Sequence, residues 1–164
     1  MQGRKEEGIA QLRQGAVVMQ RAGFVLRLEQ YAQLAEAHGR SGQTAMGLQV
    51  LAEALEARDH SLECWYEAEL HRLKGVMLLQ DAAMLWNAAE ACFHQALYTA
   101  RRDHAKLLEL RAAVSLSRLW QQQSKRDQAY TLLLEVYSWF TEGFDTQDLQ
   151  EAKAQLEALV VNRC

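Results

Sequence analysis

The chain has 164 residues, 49% of them hydrophobic and 24% charged, with a formal net charge of −3. A chain of this length makes one domain with a shared core, and 21 acidic residues interleaved with 18 basic ones exclude the concentrated basic patch of a nucleic-acid surface. Proline is absent, Ala, Leu, Gln, Glu and Arg are abundant, and no apolar run approaches the roughly 20 residues that span a bilayer, so the expectation is an all-α protein with no membrane segment.

The opening MQGRKEEG has no hydrophobic stretch behind its basic residues, which argues against a signal peptide. The three cysteines, Cys64, Cys92 and Cys164, form an odd and widely spaced set, as expected of free thiols in the cytoplasm. Residues 5–21 read as a first helix, half a repeat, with Ile9, Leu12, Ala16, Val17 and Val18 on one face. A helix from Phe24 to Gly39 follows, with Leu26 or Leu28, Tyr31, Leu34 and Ala35 inward, and its partner runs from Gln43 to Arg58 with Met46, Val50, Leu51, Ala54 and Leu55 inward. Ser41 or Thr44 is suited to cap that second helix.

The next pair occupies the stretch from Trp65 to Asp103, opening near Cys64. Leu70, Leu73, Met77 and Leu78 recur at helical spacing in its first helix, and Gly75 leaves a point without a side chain where a neighbour can approach. Its second helix carries Ala89, Phe93 and Ala96, a ring between two small residues on one face. A third pair reads as Lys106 to Ser124, with Leu110, Ala113, Val114, Leu116, Ser117 and Trp120 inward, and Arg126 to Phe140, with Ala129, Leu132, Leu133 and Val136 inward. Gly143 breaks the pattern, Asp145 or Thr146 is suited to cap, and a last helix over 147–161 carries Leu149, Ala152, Leu156 and Leu159 on one stripe. It is expected to close the array with its polar side in water.

The pairs repeat. A small residue on the first helix (Ala35, Gly75, Ser117) precedes a small residue on the second (Gly47, Ala89, Ala129) by 12, 14 and 12 positions. A large apolar residue follows four later (Leu51, Phe93, Leu133), and Ala54, Ala96 and Val136 come three after that, so the units recur every 40 to 42 residues. Units of about 24–58, 64–103 and 105–140, a half-repeat over 5–21 and a capping helix over 146–161 therefore make one domain spanning 1–164.

The segments Lys74-Gly75-x2-Leu78, Leu34-Ala35-x2-His38 and Leu116-Ser117-x2-Trp120, each followed by a small-x3-large-x2-small helix or a close variant, resemble tetratricopeptide repeats. Tyr66–Gly75, Ala89–Leu97, Glu109–Gln123 and Tyr137–Glu157 further resemble the C-terminal helical-repeat region of large bacterial signalling ATPases and adenylate cyclase-type regulators. The resemblance implies a superhelical stack of antiparallel hairpins and a sensing or partner-binding role. No cyclase or ATPase domain precedes the repeats here, so neither activity is expected.

In such stacks the first helices line the concave face, and the solvent-facing positions flanking their small residues are Glu29, Glu36 and Arg40, then Glu69, Arg72 and Gln80, then Arg111, Arg118, Gln121 and Gln122. Arg72, Arg111 and Arg118 are candidates for a basic stripe that grips a carboxylate-bearing peptide, since guanidinium groups bind carboxylates bidentately; salt bridges with Glu69, Glu109 and their neighbours are the plainer reading. The pairs His60 and Cys64, Glu67 and His71, and Glu90 and His94 each share a helical face but lack the further ligands of a zinc site, so no metal or cofactor is expected. Cys92 reads as a core residue beside Phe93, and no nucleophile–His–acid arrangement or Gly-rich phosphate loop is legible, which leaves no enzyme site. Trp139, Phe140 and Phe144 beside a glycine turn either anchor the last helix or form a patch that pairs with another copy. The expected function is a non-catalytic scaffold or adaptor holding a peptide or helix in its groove. A self-associating homodimer is the first alternative and a small-ligand sensor the second.

Overall fold

The computed structural model describes residues 8, 11, 14, 28–57, 66–81 and 85–161, so the half-repeat expected over 5–21 lies almost wholly outside the described residues. Among the described residues there are seven helices and no strand. They are α1 (Leu28–Arg40), α2 (Thr44–Ala57), α3 (Glu67–Asp81), α4 (Trp86–Arg102), α5 (Lys106–Gln122), α6 (Arg126–Tyr137) and α7 (Gln147–Val161). The fold is all-α. Cys64 and Trp65, where the second pair was expected to open, lie outside the described residues.

The periodicity that marked each helix also sets its buried face. All twelve residues of the repeat, from Ala35 to Val136, are buried. Leu149, Ala152, Leu156 and Leu159 are buried along α7 at the three- and four-residue spacing of a single helix face. The ring of Phe93 lies on Gly75: a Cβ there would stand 2.5 Å from Phe93 Cε1. Between α2 and α3 a second glycine has the same office, since a Cβ on Gly47 would stand 2.7 Å from Met77 Sδ.

Three turns of one geometry fold the chain back on itself. In each, the penultimate turn residue has positive φ: Gly42 at 76°, His104 at 54° and Ser124 at 63°. The amide after it reaches the carbonyl five residues back, Gln43 to His38, Ala105 to Ala100 and Lys125 to Trp120, at 3.0, 2.9 and 2.8 Å. This is the Schellman ending, in which a left-handed residue lets the next amides satisfy orphaned carbonyls. It joins α1 to α2, α4 to α5 and α5 to α6. Neither expected cap for α2 behaves as one: Thr44 is already its first residue, and the Ser41 hydroxyl donates back to the Ala37 carbonyl at 2.8 Å. Thr146 does precede α7 and its carbonyl accepts from the Gln150 amide, but its hydroxyl donates to the Gly143 carbonyl. The helix expected to reach Phe140 ends at Tyr137, where the Trp139 and Phe140 amides turn to i→i−3 carbonyls.

Each helix packs on the next in sequence, from α1 with α2 through α3 with α4 to α6 with α7. In addition α1 packs on α3, α3 on α5 and α5 on α7, while no comparable packing joins α2 to α4 or α4 to α6. The odd-numbered helices therefore form a continuous row. The core divides at α3: Leu70, Leu73 and Met77 join the buried residues of α1 and α2, while Val76, Leu78 and Leu79 pack against the larger cluster of α4–α7.

Two buried carboxylates tie the chain together near the α4–α5 turn. Glu109 accepts from Arg101 Nε at 2.7 Å and Lys106 Nζ at 2.8 Å. Burial opposes its charge, but those cations outweigh burial and hold its carboxyl below the usual range. Glu67 takes His71 Nε2 at 3.3 Å and Arg102 Nη2 at 3.4 Å, linking α3 to the end of α4.

Candidate functional site

The row of odd-numbered helices carries a cavity of about 460 Å³. α1 contributes Glu36 and Arg40, one turn apart on its exposed side. α3 contributes Glu69 and Arg72, with Tyr66 just before it. α5 supplies Arg111, Val114, Ser115 and Arg118, and α7 supplies Gln147, Asp148 and Glu151 from its first two turns. Four arginines thus face four carboxylates.

They are already paired. Arg72 grips Glu69 bidentately at 2.8 and 2.7 Å, with its side chain 17% and that of Glu69 7% exposed. Burial works against the Arg72 charge, but the hydrogen bonds to Glu69 outweigh it and raise the guanidinium above its ordinary range. Arg111 grips Asp148 in the same forked way at 2.8 and 2.9 Å and brings Nη1 to 3.7 Å from Glu69 Oε1. Its pKa is raised, first by the bonds to Asp148. Burial and the nearby Glu69 carboxylate push the Tyr66 phenol up. The outer pairs are looser. Arg40 meets Glu36 at 2.8 Å with the two side chains 75% and 44% exposed, and Arg118 meets Glu151 at 3.2 Å with 51% and 44% exposed.

Of the groove residues expected from the sequence, Glu36, Arg40, Glu69, Arg72, Arg111 and Arg118 come together around this cavity, and Glu29 and Gln80 do not line it. Gln121 and Gln122 do not line it: Gln121 accepts from the buried Gln155 of α7 at 2.9 Å, and Gln122 is exposed. Glu109, expected as an arginine partner on the groove, instead serves Arg101 and Lys106. The larger correction concerns α7. Its polar side does not simply face water, because Asp148 and Glu151 enter the groove as the partners of Arg111 and Arg118. The legible signal was the spacing of Asp148, Glu151 and Gln155, one helical face that answers two arginines seven residues apart.

The aromatic trio divides. Phe140 is half-buried against the core, with its ring edge-on to Trp139 at 5.2 Å. Trp139 is 58% exposed under Lys106 Nζ at 5.6 Å, and Phe144 is 47% exposed against Tyr137 at 5.9 Å. Elsewhere, Glu90 accepts from Trp120 Nε1 at 2.6 Å; this bond, with Gln123 and Lys125, overcomes burial and holds its carboxyl below the usual range. His94 lies 3.9 Å from the same carboxylate. Among the described residues no three of His, Cys, Asp and Glu gather as a metal site, and burial pushes the Cys92 thiol up. His60 and Cys64 lie outside the described residues.

No protein-family model matches the chain, and no curated protein matches it.

Proposed function

We propose that the chain is a tetratricopeptide-like superhelical stack of antiparallel hairpins that serves as a non-catalytic interaction module, a scaffold or regulatory adaptor of bacterial signalling type. The observation that carries this reading is the groove itself, one continuous surface built from α1, α3, α5 and α7. Helices packed directly along one layer and not along the other bend a stack toward the close layer, so the odd-numbered helices take its concave side. A peptide or helix that binds there meets side chains already held by one another, and the surface loses little freedom on binding.

Affinity capture tests the reading. The wild-type chain, an Arg40→Glu/Arg118→Glu variant and a Glu53→Ala control on the exposed side of α2 serve as baits, with helicity checked by circular dichroism. A protein retained by wild type and control and lost by the groove variant is the expected result. The same proteins retained by all three overturn the groove assignment.

One observation favours a second reading, self-association. Trp139 and Phe144 are large exposed apolar side chains near the same end of the array. Light scattering over a wide concentration range separates the two: a dimer abolished by Trp139→Ser with Phe144→Ser assigns that end to pairing of copies, and a monomer throughout removes it.

A further inference from the structure

The groove is electrically balanced, and the balance is unevenly fixed. Its middle is locked, because Arg72 and Arg111 each use Nε and one Nη nitrogen on a carboxylate at 2.7 to 2.9 Å. Withdrawing Arg72 toward a bound anion leaves Glu69, which is almost wholly removed from solvent, with only the longer 3.7 Å contact to Arg111, and a buried carboxylate that loses its hydrogen-bonded cation is strongly unfavourable. The two ends differ. Arg40 with Glu36 on α1, and Arg118 with Glu151 between α5 and α7, are largely exposed pairs, each with one hydrogen bond between arginine and carboxylate. Such pairs contribute little and exchange partners at little cost.

From this arrangement, and resting on the groove reading above, we infer that the occupant is a mixed-charge peptide segment, bearing an acidic and a basic side chain toward each end and uncharged residues between. At each end the segment's acid meets Arg40 or Arg118 and its base meets Glu36 or Glu151, so two intramolecular pairs become four intermolecular ones. Between them the lining is uncharged at Tyr66, Val114 and Ser115, the last two buried and the Ser115 hydroxyl donating to the Arg111 carbonyl at 2.9 Å. A uniformly acidic segment meets four carboxylates, and a uniformly basic one meets four arginines. Like charges brought together across an interface are how wrong partners are rejected.

The test is selection from a randomised short-peptide library displayed on phage, using the full chain, Arg118→Glu, and the charge-swapped pair Arg118→Glu/Glu151→Arg, all confirmed helical. Wild type is expected to enrich peptides with both signs and a net charge near zero. Arg118→Glu is expected to shift the enriched peptides toward positive charge and to bind the wild-type selections about tenfold more weakly. The swapped pair restores mixed-charge selection. Enrichment of uniformly acidic peptides by wild type that is lost on Arg118→Glu overturns the mixed-charge inference and leaves the groove standing. Enrichment indifferent to every variant, or none at all, overturns both.

Discussion

Two seams between neighbouring helices use the same device, a glycine under a bulky side chain, and differ in what lies on it. At Gly75 the neighbour is the edge of the Phe93 ring, fully buried and closed in by α4. At Gly47 the neighbour is the far end of Met77, a flexible thioether, with the Ala35 carbonyl oxygen behind it at 3.2 Å. A ring has two torsions and no way to shorten, whereas a methionine re-forms around an intruder. The first seam is therefore rigid and the second has slack, although both read in the sequence as a small residue in a repeating place.

Removing the ring breaks the comparison outright. Phe93→Ala leaves a cavity against Gly75, and the expected loss is about 3–5 kcal/mol, read from denaturant midpoints at constant m-value. Adding one methyl at each glycine sharpens it. Gly75→Ala is expected to lose about 1–3 kcal/mol, because overpacking at 2.5 Å exceeds the gain in helix propensity. Gly47→Ala is expected to stay within about 1 kcal/mol of wild type, since propensity and a shifted Met77 offset the contact. Equal losses at the two sites would show that the Ala35 backbone, and not the flexibility of Met77, governs the second seam.

The smallest effect extends the contrast to the turns. The left-handed position is glycine in the α1–α2 turn and serine in the α5–α6 turn, at φ of 76° and 63°. Ser124→Gly is expected to raise stability by up to about 1 kcal/mol, the side-chain cost of that conformation less the extra freedom glycine gives the unfolded chain. A lower melting temperature for this variant would mean that the serine side chain makes a compensating contact.

Much of the groove was legible before the fold because its arginines sit beside the small residues that mark the first helix of each unit. Glu36, Arg40, Glu69, Arg72, Arg111 and Arg118 were found in this way. Asp148 and Glu151 were not, for they stand on a helix outside the repeat, 37 and 33 residues from the arginines they hold. Ser115 was missed as a lining residue for a related reason: its neighbours on the next helix depend on how far each helix is rotated about its own axis.

The sequence by itself determined the helices, their buried faces and the period of the repeat, since 3.6-residue periodicity and the placement of small residues are local properties. Only the tertiary structure decided that α7 is a wall of the groove, that its carboxylates neutralise the arginine row, and that Trp139 and Phe144 stay exposed. Those facts rest on the angles at which distant helices meet. The angles follow from the summed packing of every side chain at the contact and are written in no single stretch of the chain.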